Sequence, residues 1–255
     1  MIGVAKSTVH PYLRDIFLNT KQKQEVELRR KEKCNKRPNS RKGKCLPGRE
    51  IIKPKFWSDD LVHIVAHFMF DGMVTKDRCV YFSKDKYQIE HMRELLCKIF
   101  KANPRVEKRD NGVYGIAVYH VELADYIKNR KEKLLSYLNN GASDSSKSIF
   151  LKAFFDDEGN VFYKNYKRRV RGYQKSRVIL EQIKKLMDDF SIEGKINNKG
   201  NNIEISGRDN LVKFSREINF SSRIYINPDR KNSIWKKKIS KRKILALLLK
   251  AYHNN

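Results

Sequence analysis

The spacing of apolar and polar residues along the chain predicts two similar runs of elements. A stretch that is apolar on nearly every side, Leu61-Val62-His63-Ile64-Val65-Ala66-His67-Phe68-Met69-Phe70, reads as a buried helix ending in Asp71-Gly72. A second, Ile149-Phe150-Leu151-Lys152-Ala153-Phe154-Phe155-Asp156-Asp157, ends in Glu158-Gly159. After the first come β-like segments from Met73 to Ser83, an amphipathic helix from Gln88 to Phe100, strands around Arg105 to Lys108 and Val113 to Tyr119, and a short helix from Val121. After the second come β-like segments from Asn160 to Tyr173, a helix from Arg177 to Phe190, strands around Gly194 to Asn197 and Asn202 to Ser206, and a helix from Asp209. Asn111-Gly112 and Lys199-Gly200 supply hairpin turns. The order α-β-β-α-β-β-α therefore occurs twice, which predicts an α+β fold with internal pseudo-twofold symmetry.

The repeat divides the chain into a first half, 56–140, and a second, 145–226. Ahead of it, within 1–19, the stretch from Gly3 to Ile16 resembles the turn and second helix of a helix-turn-helix, with Ser7 or Thr8 as cap. Pro11 falls a turn into that helix, so a short amphipathic helix docking on the main body is the alternative. Residues 20–55 read as a basic linker: from Lys21 to Lys55 fourteen Lys/Arg stand against four Glu, and Pro38, Pro47 and Pro54 interrupt the stretch. Behind the repeat, 227–255 reads as a basic helix with an apolar face of Ile239, Ile244, Leu245, Leu248 and Leu249. That face is expected to pack on the core and leave the basic side outward.

Composition narrows the class of partner. The 255 residues, 40% of them hydrophobic, are enough to bury a sizeable core. Lys and Arg outnumber Asp and Glu by 56 to 29, a net charge of +27, whereas solubility alone needs a magnitude of roughly 2 to 8. A polyanion is the implied partner. No apolar run approaches the roughly 18 residues of a membrane span, and no signal-peptide core follows Met1, so nucleic acid is favoured over a membrane. Cys34, Cys45, Cys79 and Cys97 form no CxxC pair and read as reduced thiols of an intracellular, cytoplasmic protein; half a metal site at Cys34 and Cys45 is the alternative. His63 and His67 lie four apart on one helix, a spacing that can bind metal, yet without a third ligand they read as helix-surface histidines.

The two acid-ended helices carry a family resemblance. Ile64-Val65-Ala66-His67-Phe68-Met69-Phe70-Asp71-Gly72 and Leu151-Lys152-Ala153-Phe154-Phe155-Asp156-Asp157-Glu158-Gly159, the latter followed by Asn160-Val161, resemble the paired motifs of the LAGLIDADG homing endonucleases. The motifs lie 87 residues apart, and the resemblance covers roughly residues 58 to 226. Two apolar helices in contact need small residues where backbones approach, and Ala66 and Ala153 occupy matching places; the Gly after each acid permits a sharp exit. The resemblance implies that Asp71 and Glu158 sit side by side at the ends of parallel helices. There the negative ends of two helix dipoles add to the carboxylates and attract Mg²⁺ or, alternatively, Mn²⁺.

It further implies two antiparallel sheets joined as a saddle in the major groove of double-stranded DNA. Tyr163, Lys164, Tyr166, Lys167, Arg168, Arg169 and Arg171, with Lys76 and Arg78 in the first half, are the expected DNA-binding residues, and Gln174, Lys175, Lys84 and Arg223 are expected to support catalysis beside Asp71 and Glu158. His67, Met69 and Lys152 depart from the motif. The implied activity is Mg²⁺-dependent, sequence-specific cleavage of duplex DNA by a monomer. Relatives that pair this core with a helix-turn-helix and regulate transcription without cutting give one alternative, and RNA-splicing maturases another.

Overall fold

The computed structural model describes residues 50–109, 112–164, 167–197, 201–229 and 233–252, with Thr20, Gln22, Gln24, Glu25 and Leu28. The chain divides into Met1–Arg49 and Glu50–Asn255. In the first unit the five described positions are helical; the helix-turn-helix-like stretch, Cys34 and Cys45 lie outside the described residues, as does Tyr166.

The second unit contains both copies of the repeat. Its first half runs α1 (Asp59–Phe70), β1 (Gly72–Val74), β2 (Arg78–Ser83), α2 (Lys86–Phe100), β3 (Arg105–Lys108), β4 (Tyr114–Tyr119) and α3 (Val121–Asn140). Its second half runs α4 (Asp144–Glu158), β5 (Gly159–Lys164), β6 (Lys167–Tyr173), α5 (Arg177–Asp188), β7 (Gly194–Ile196), β8 (Asn202–Ser206) and α6 (Arg208–Glu217), and α7 (Lys241–Lys250) follows. Both sheets are antiparallel with matching strand orders, β1-β2-β4-β3 and β5-β6-β8-β7.

Local chemistry sets the boundaries. Ser58 and Ser143 cap α1 and α4 through their hydroxyls, which starts α4 five residues before its apolar run. Asp85 caps α2 and Ser176 caps α5. In both places the N–H of the capping residue donates to the side chain two positions earlier, Asp85 to Ser83 Oγ and Ser176 to Gln174 Oε1. The helix from Val121, expected to be short, spans 20 residues. Its stripe of Leu123, Ile127, Leu134 and Leu138 stays buried throughout, and packing sustains the length. Residues 50–55, assigned to the linker from the sequence, pack with the first half: Ile52 N–H donates to Phe100 O, and the Arg130 guanidinium donates to the carbonyls of Pro54 and Lys55.

One side of each sheet meets the helices. Cys79, Tyr81, Ile116 and Val118 of the first sheet and Val161, Val170, Ile203 and Ile205 of the second join α1 and α4 in one continuous core. Because side chains alternate along a strand, the intervening residues form an open face on each sheet. Glycine fixes that alternation in β6, since a Cβ on Gly172 would collide with the ring of Phe154.

Candidate functional site

The central helices run side by side in the same direction. At their N-terminal ends Ser145 and Ser146 of α4 donate to the Asp59 carboxylate of α1, each at 2.5 Å. Ala66 and Ala153 are buried along the helices, and the ring of Phe70, the last residue of α1, packs on Phe150 and Phe154. At the C-terminal ends a Cβ on Gly72 would run into the backbone of Phe68, and one on Gly159 into the carbonyl of Phe155. Phe68 and Phe155 occupy the same motif position, so the two exits are built alike.

These exits bring the acids together. Asp71 caps α1 and Glu158 is the last residue of α4. Burial, then the nearby charges of Asp157 and Glu158, push the Asp71 carboxyl up to about 7, against the opposing pull of His67 and Lys241. Burial and Asp157 also raise Glu158. Hard carboxylate oxygens crowded where two helix dipoles present their negative ends suit a small divalent cation. Among the described residues no three His, Cys, Asp or Glu side chains could enclose a metal by themselves. Mg²⁺ is commonly held by one or two carboxylates together with waters and substrate phosphates, and Asp71 and Glu158 fit that pattern.

Two sets of residues that the sequence reading missed surround the acids. Asp157 turns across the interface into the first half, where His67 Nδ1 lies 2.7 Å from its Oδ2 and the Tyr81 hydroxyl donates to its Oδ1 at 3.0 Å. The His67 and Asp157 side chains are 1% and 2% exposed, which corrects the expectation of a helix-surface histidine. Burial lowers the pKa of His67, but Asp157, Asp156 and Asp71 outweigh it and hold the ring above its usual range. His63 stacks edge-on between His67 and His91, and burial with those like charges pushes it well below 6.5. The departure at His67 thus has its partner in Asp157 of the other motif.

Two lysines tie off the helix ends. Lys131 of α3 donates to Phe68 O at 2.8 Å, and Lys241 of α7 donates to Phe155 O and Asp156 O at 3.1 and 2.6 Å. Each ammonium meets carbonyls in the last turn of an acid-bearing helix, and Phe155 O accepts from the Gly159 N–H as well as from Lys241. The signal was present in the sequence. Lys131 falls on the apolar stripe between Ile127 and Leu134, and Lys241 on the stripe of Ile244, Leu245 and Leu248.

The expected DNA-binding residues divide by face. Lys164, Lys167, Arg169 and Arg171 stand on the open face of the second sheet, where Phe162 lies under Arg169 and Glu204 pairs with both arginines. Tyr163 and Arg168, paired across β5 and β6, point to the other side: Tyr163 packs on the core and Arg168 lies 4.2 Å from the Tyr252 ring centroid. In the first half Arg78 is on the open face over Tyr119, and Lys76 is exposed in the turn between β1 and β2. Lys84 and Arg223 meet in a cleft of about 410 Å³ with Lys86, Tyr87, Tyr225 and Lys238. The Arg223 guanidinium stacks on Tyr87, joining the end of the second half to the first. Gln174 spends its carbonyl on the turn before α5, and Lys175 beside it is exposed.

Residues 145–219 match the family model of the LAGLIDADG-like domain. No curated protein matches the sequence. Among solved structures, a variant of the homing endonuclease I-DmoI with its nicked target DNA and Mn is similar at a TM-score of 0.50 and 19% identity, over 63% of this chain and 94% of that one. I-DmoI with DNA and Ca gives 0.49 and 19%, over 63% and 88%. Full-length DUF199/WhiA from Thermatoga maritima gives 0.46 and 14%, over 63% and 56%. Residues 145–219 are accordingly a LAGLIDADG-like domain, and the two halves together have the fold of the LAGLIDADG homing endonucleases.

Proposed function

We propose that the protein binds a specific site in double-stranded DNA and hydrolyses its phosphodiester bonds, with Asp71 and Glu158 holding Mg²⁺ or Mn²⁺. The observation that carries this reading is the convergence of two carboxylates at the ends of paired helices, each followed by a glycine exit of the same build. Unlike an acid that fixes an arginine of the sheet face, two anions at the helix ends directed at phosphates only weaken binding in a protein that does not cut. Bound Mg²⁺ supplies activation of a water and stabilisation of the leaving oxygen. The chain's own part is to hold two hard anions in register and grip the duplex with the cations of the open faces. The net charge of +27 supports DNA as the partner, and the duplicated halves support action as a monomer; a DNA substrate in turn implies work inside the cell, in the manner of a homing enzyme.

A second reading, a DNA-binding regulator that does not cut, draws on the crowding of acids at the helix ends: burial, Asp157 and Glu158 push the Asp71 carboxyl up to about 7, which disfavours its charged, metal-binding form. Selection of bound and of cut sites from a random duplex library, with and without Mg²⁺ or Mn²⁺, separates the two. The expected result is cleavage that Asp71→Asn or Glu158→Gln lowers by at least about 10³-fold, roughly 4 kcal/mol. Metal-free binding of the same duplex should be unchanged or tighter, with log K falling against log[salt] more steeply than about −3. A selected site bound tightly and never cut in either metal leaves the regulator reading standing.

A further inference from the structure

The open face of the second sheet holds one acid among its cations. Glu204 on β8 stands directly opposite Arg171 on β6 and Lys195 on β7. Its Oε2 accepts from Arg171 Nε at 2.6 Å and lies 3.2 Å from Arg169 Nη1, so a single carboxylate oxygen holds two guanidiniums. The three side chains are 22–26% exposed, shielded at their stems yet open at the surface. Arg169 has a further anchor, since it lies over the ring of Phe162, its cross-strand neighbour.

Charge alone does not account for this acid. On a face that meets phosphates a carboxylate repels the ligand and neutralises part of the attraction. It is useful only if fixing the arginines matters more than the lost charge. Free arginines surrender much rotamer freedom on binding, whereas a clamped pair has surrendered it beforehand. Residues two apart on a strand are separated by roughly 6.6 Å, about two base-pair rises of 3.4 Å each. Arginine forks pair with the O6 and N7 acceptors of guanine in the major groove.

We propose that Glu204 is a positioning residue for sequence discrimination: through one oxygen it presets Arg169 and Arg171 to read guanines two steps apart in duplex DNA, at the expense of affinity for DNA in general. The proposal rests on the DNA-binding part of the function above, not on cleavage. Its test uses the full chain in EDTA, with a selected duplex and a scrambled one, over a range of salt. Glu204→Gln should bind the scrambled duplex several-fold tighter, with a salt slope steeper by about one. The ratio of selected to scrambled affinity should fall at least tenfold, and preference should flatten at the two guanine positions.

Glu204→Asp keeps the charge and shortens the reach, so discrimination should fall without the general gain. Arg171→Lys removes the fork and serves if the first variant does not fold; it too should lose discrimination while scrambled affinity hardly changes. An unchanged ratio in Glu204→Gln, or equal weakening on both duplexes, reduces Glu204 to a sheet-pairing residue and overturns the proposal. If the unaltered chain binds no duplex in a salt-dependent way, the proposed function itself fails and takes this inference with it.

Discussion

The two sheets have the same topology and nearly opposite open faces. The first carries Met73, Phe82 and Tyr119 over the buried Val80 and Ala117, with Arg78, Arg105, Glu107 and Arg109 spread among them; the second gathers Lys164, Lys167, Arg169, Arg171 and Lys195 around Glu204. The helix ends differ in the same sense. The first closes on Asp71 alone, with His67 a turn earlier, and the second closes on Asp156, Asp157 and Glu158. Duplication has preserved backbone geometry and redistributed charge. The surplus acid of the second half is tolerated because the first half supplies His67 and Tyr81 to meet it, so the halves are complements and not copies.

The strongest way to break that complement is His67→Leu. Asp157 then stays buried without its ion pair, which should cost about 3–5 kcal/mol in urea unfolding, and adding Asp157→Asn should recover most of it. A loss below about 1 kcal/mol would show that Asp157 swings out to water and that the halves do not depend on the pair. The faces can be compared next: Arg171→Ala should cost about 1–3 kcal/mol on a selected duplex and relax preference locally. Arg78→Ala in the apolar first face should weaken all duplexes alike. Equal behaviour of the two variants in competition binding would erase the distinction.

Acidity gives a smaller effect. Asp71 faces Asp157 and Glu158 of α4, His67 of its own helix and Lys241 of α7, and is raised from 3.8 to about 7. A carboxyl raised on folding contributes stability that is complete below its unfolded value and lost as pH rises through the folded one. His67, also raised, adds in the same direction, whereas His63, held well below 6.5, partly offsets both because its unfolded form loses its proton over the same range. The metal-free protein should therefore melt about 2–4 °C lower at pH 8 than at pH 6, and millimolar Mg²⁺ or Ca²⁺ should narrow the gap in the unaltered chain but not in Asp71→Asn. Identical cation effects in both would remove Asp71 from the metal site. Smallest is Arg168→Ala, which should leave DNA affinity unchanged and cost about 0.5–1 kcal/mol of stability through the lost contact with Tyr252; reduced affinity would mean that Arg168 reaches DNA after all.

Element order was legible because period and punctuation agreed. β3 and β8 have the expected bounds, since each is a short run closed by turn residues. The acid ends were legible through their glycines. The orientation of the β6 arginines was not, because basic residues fall on both faces of Lys167-Arg168-Arg169-Val170-Arg171. What decides is the contact of Gly172 with Phe154, a long-range fact. The pairing of His67 with Asp157 was hidden for a related reason: each looks like a lone irregularity until the helices are laid together. Lys131 and Lys241 were visible as charges on apolar stripes, and were passed over because lysine usually extends its ammonium to water.

Lys241 lies 83 residues beyond Glu158, and that distance is also an interval of time. Chains emerge from the ribosome at about 5–20 residues per second, folding from the N-terminus as they appear. Both sheets and both acid-ended helices are synthesised once Ser206 has been added, and the ammonium that ties off Phe155 and Asp156 follows some seconds later. A nascent chain halted in that interval carries Glu158 on a helix whose last carbonyls still lack their cation. Translation itself thus sets the order in which anions and counter-charge arrive, and the completed centre belongs only to chains that have passed residue 241.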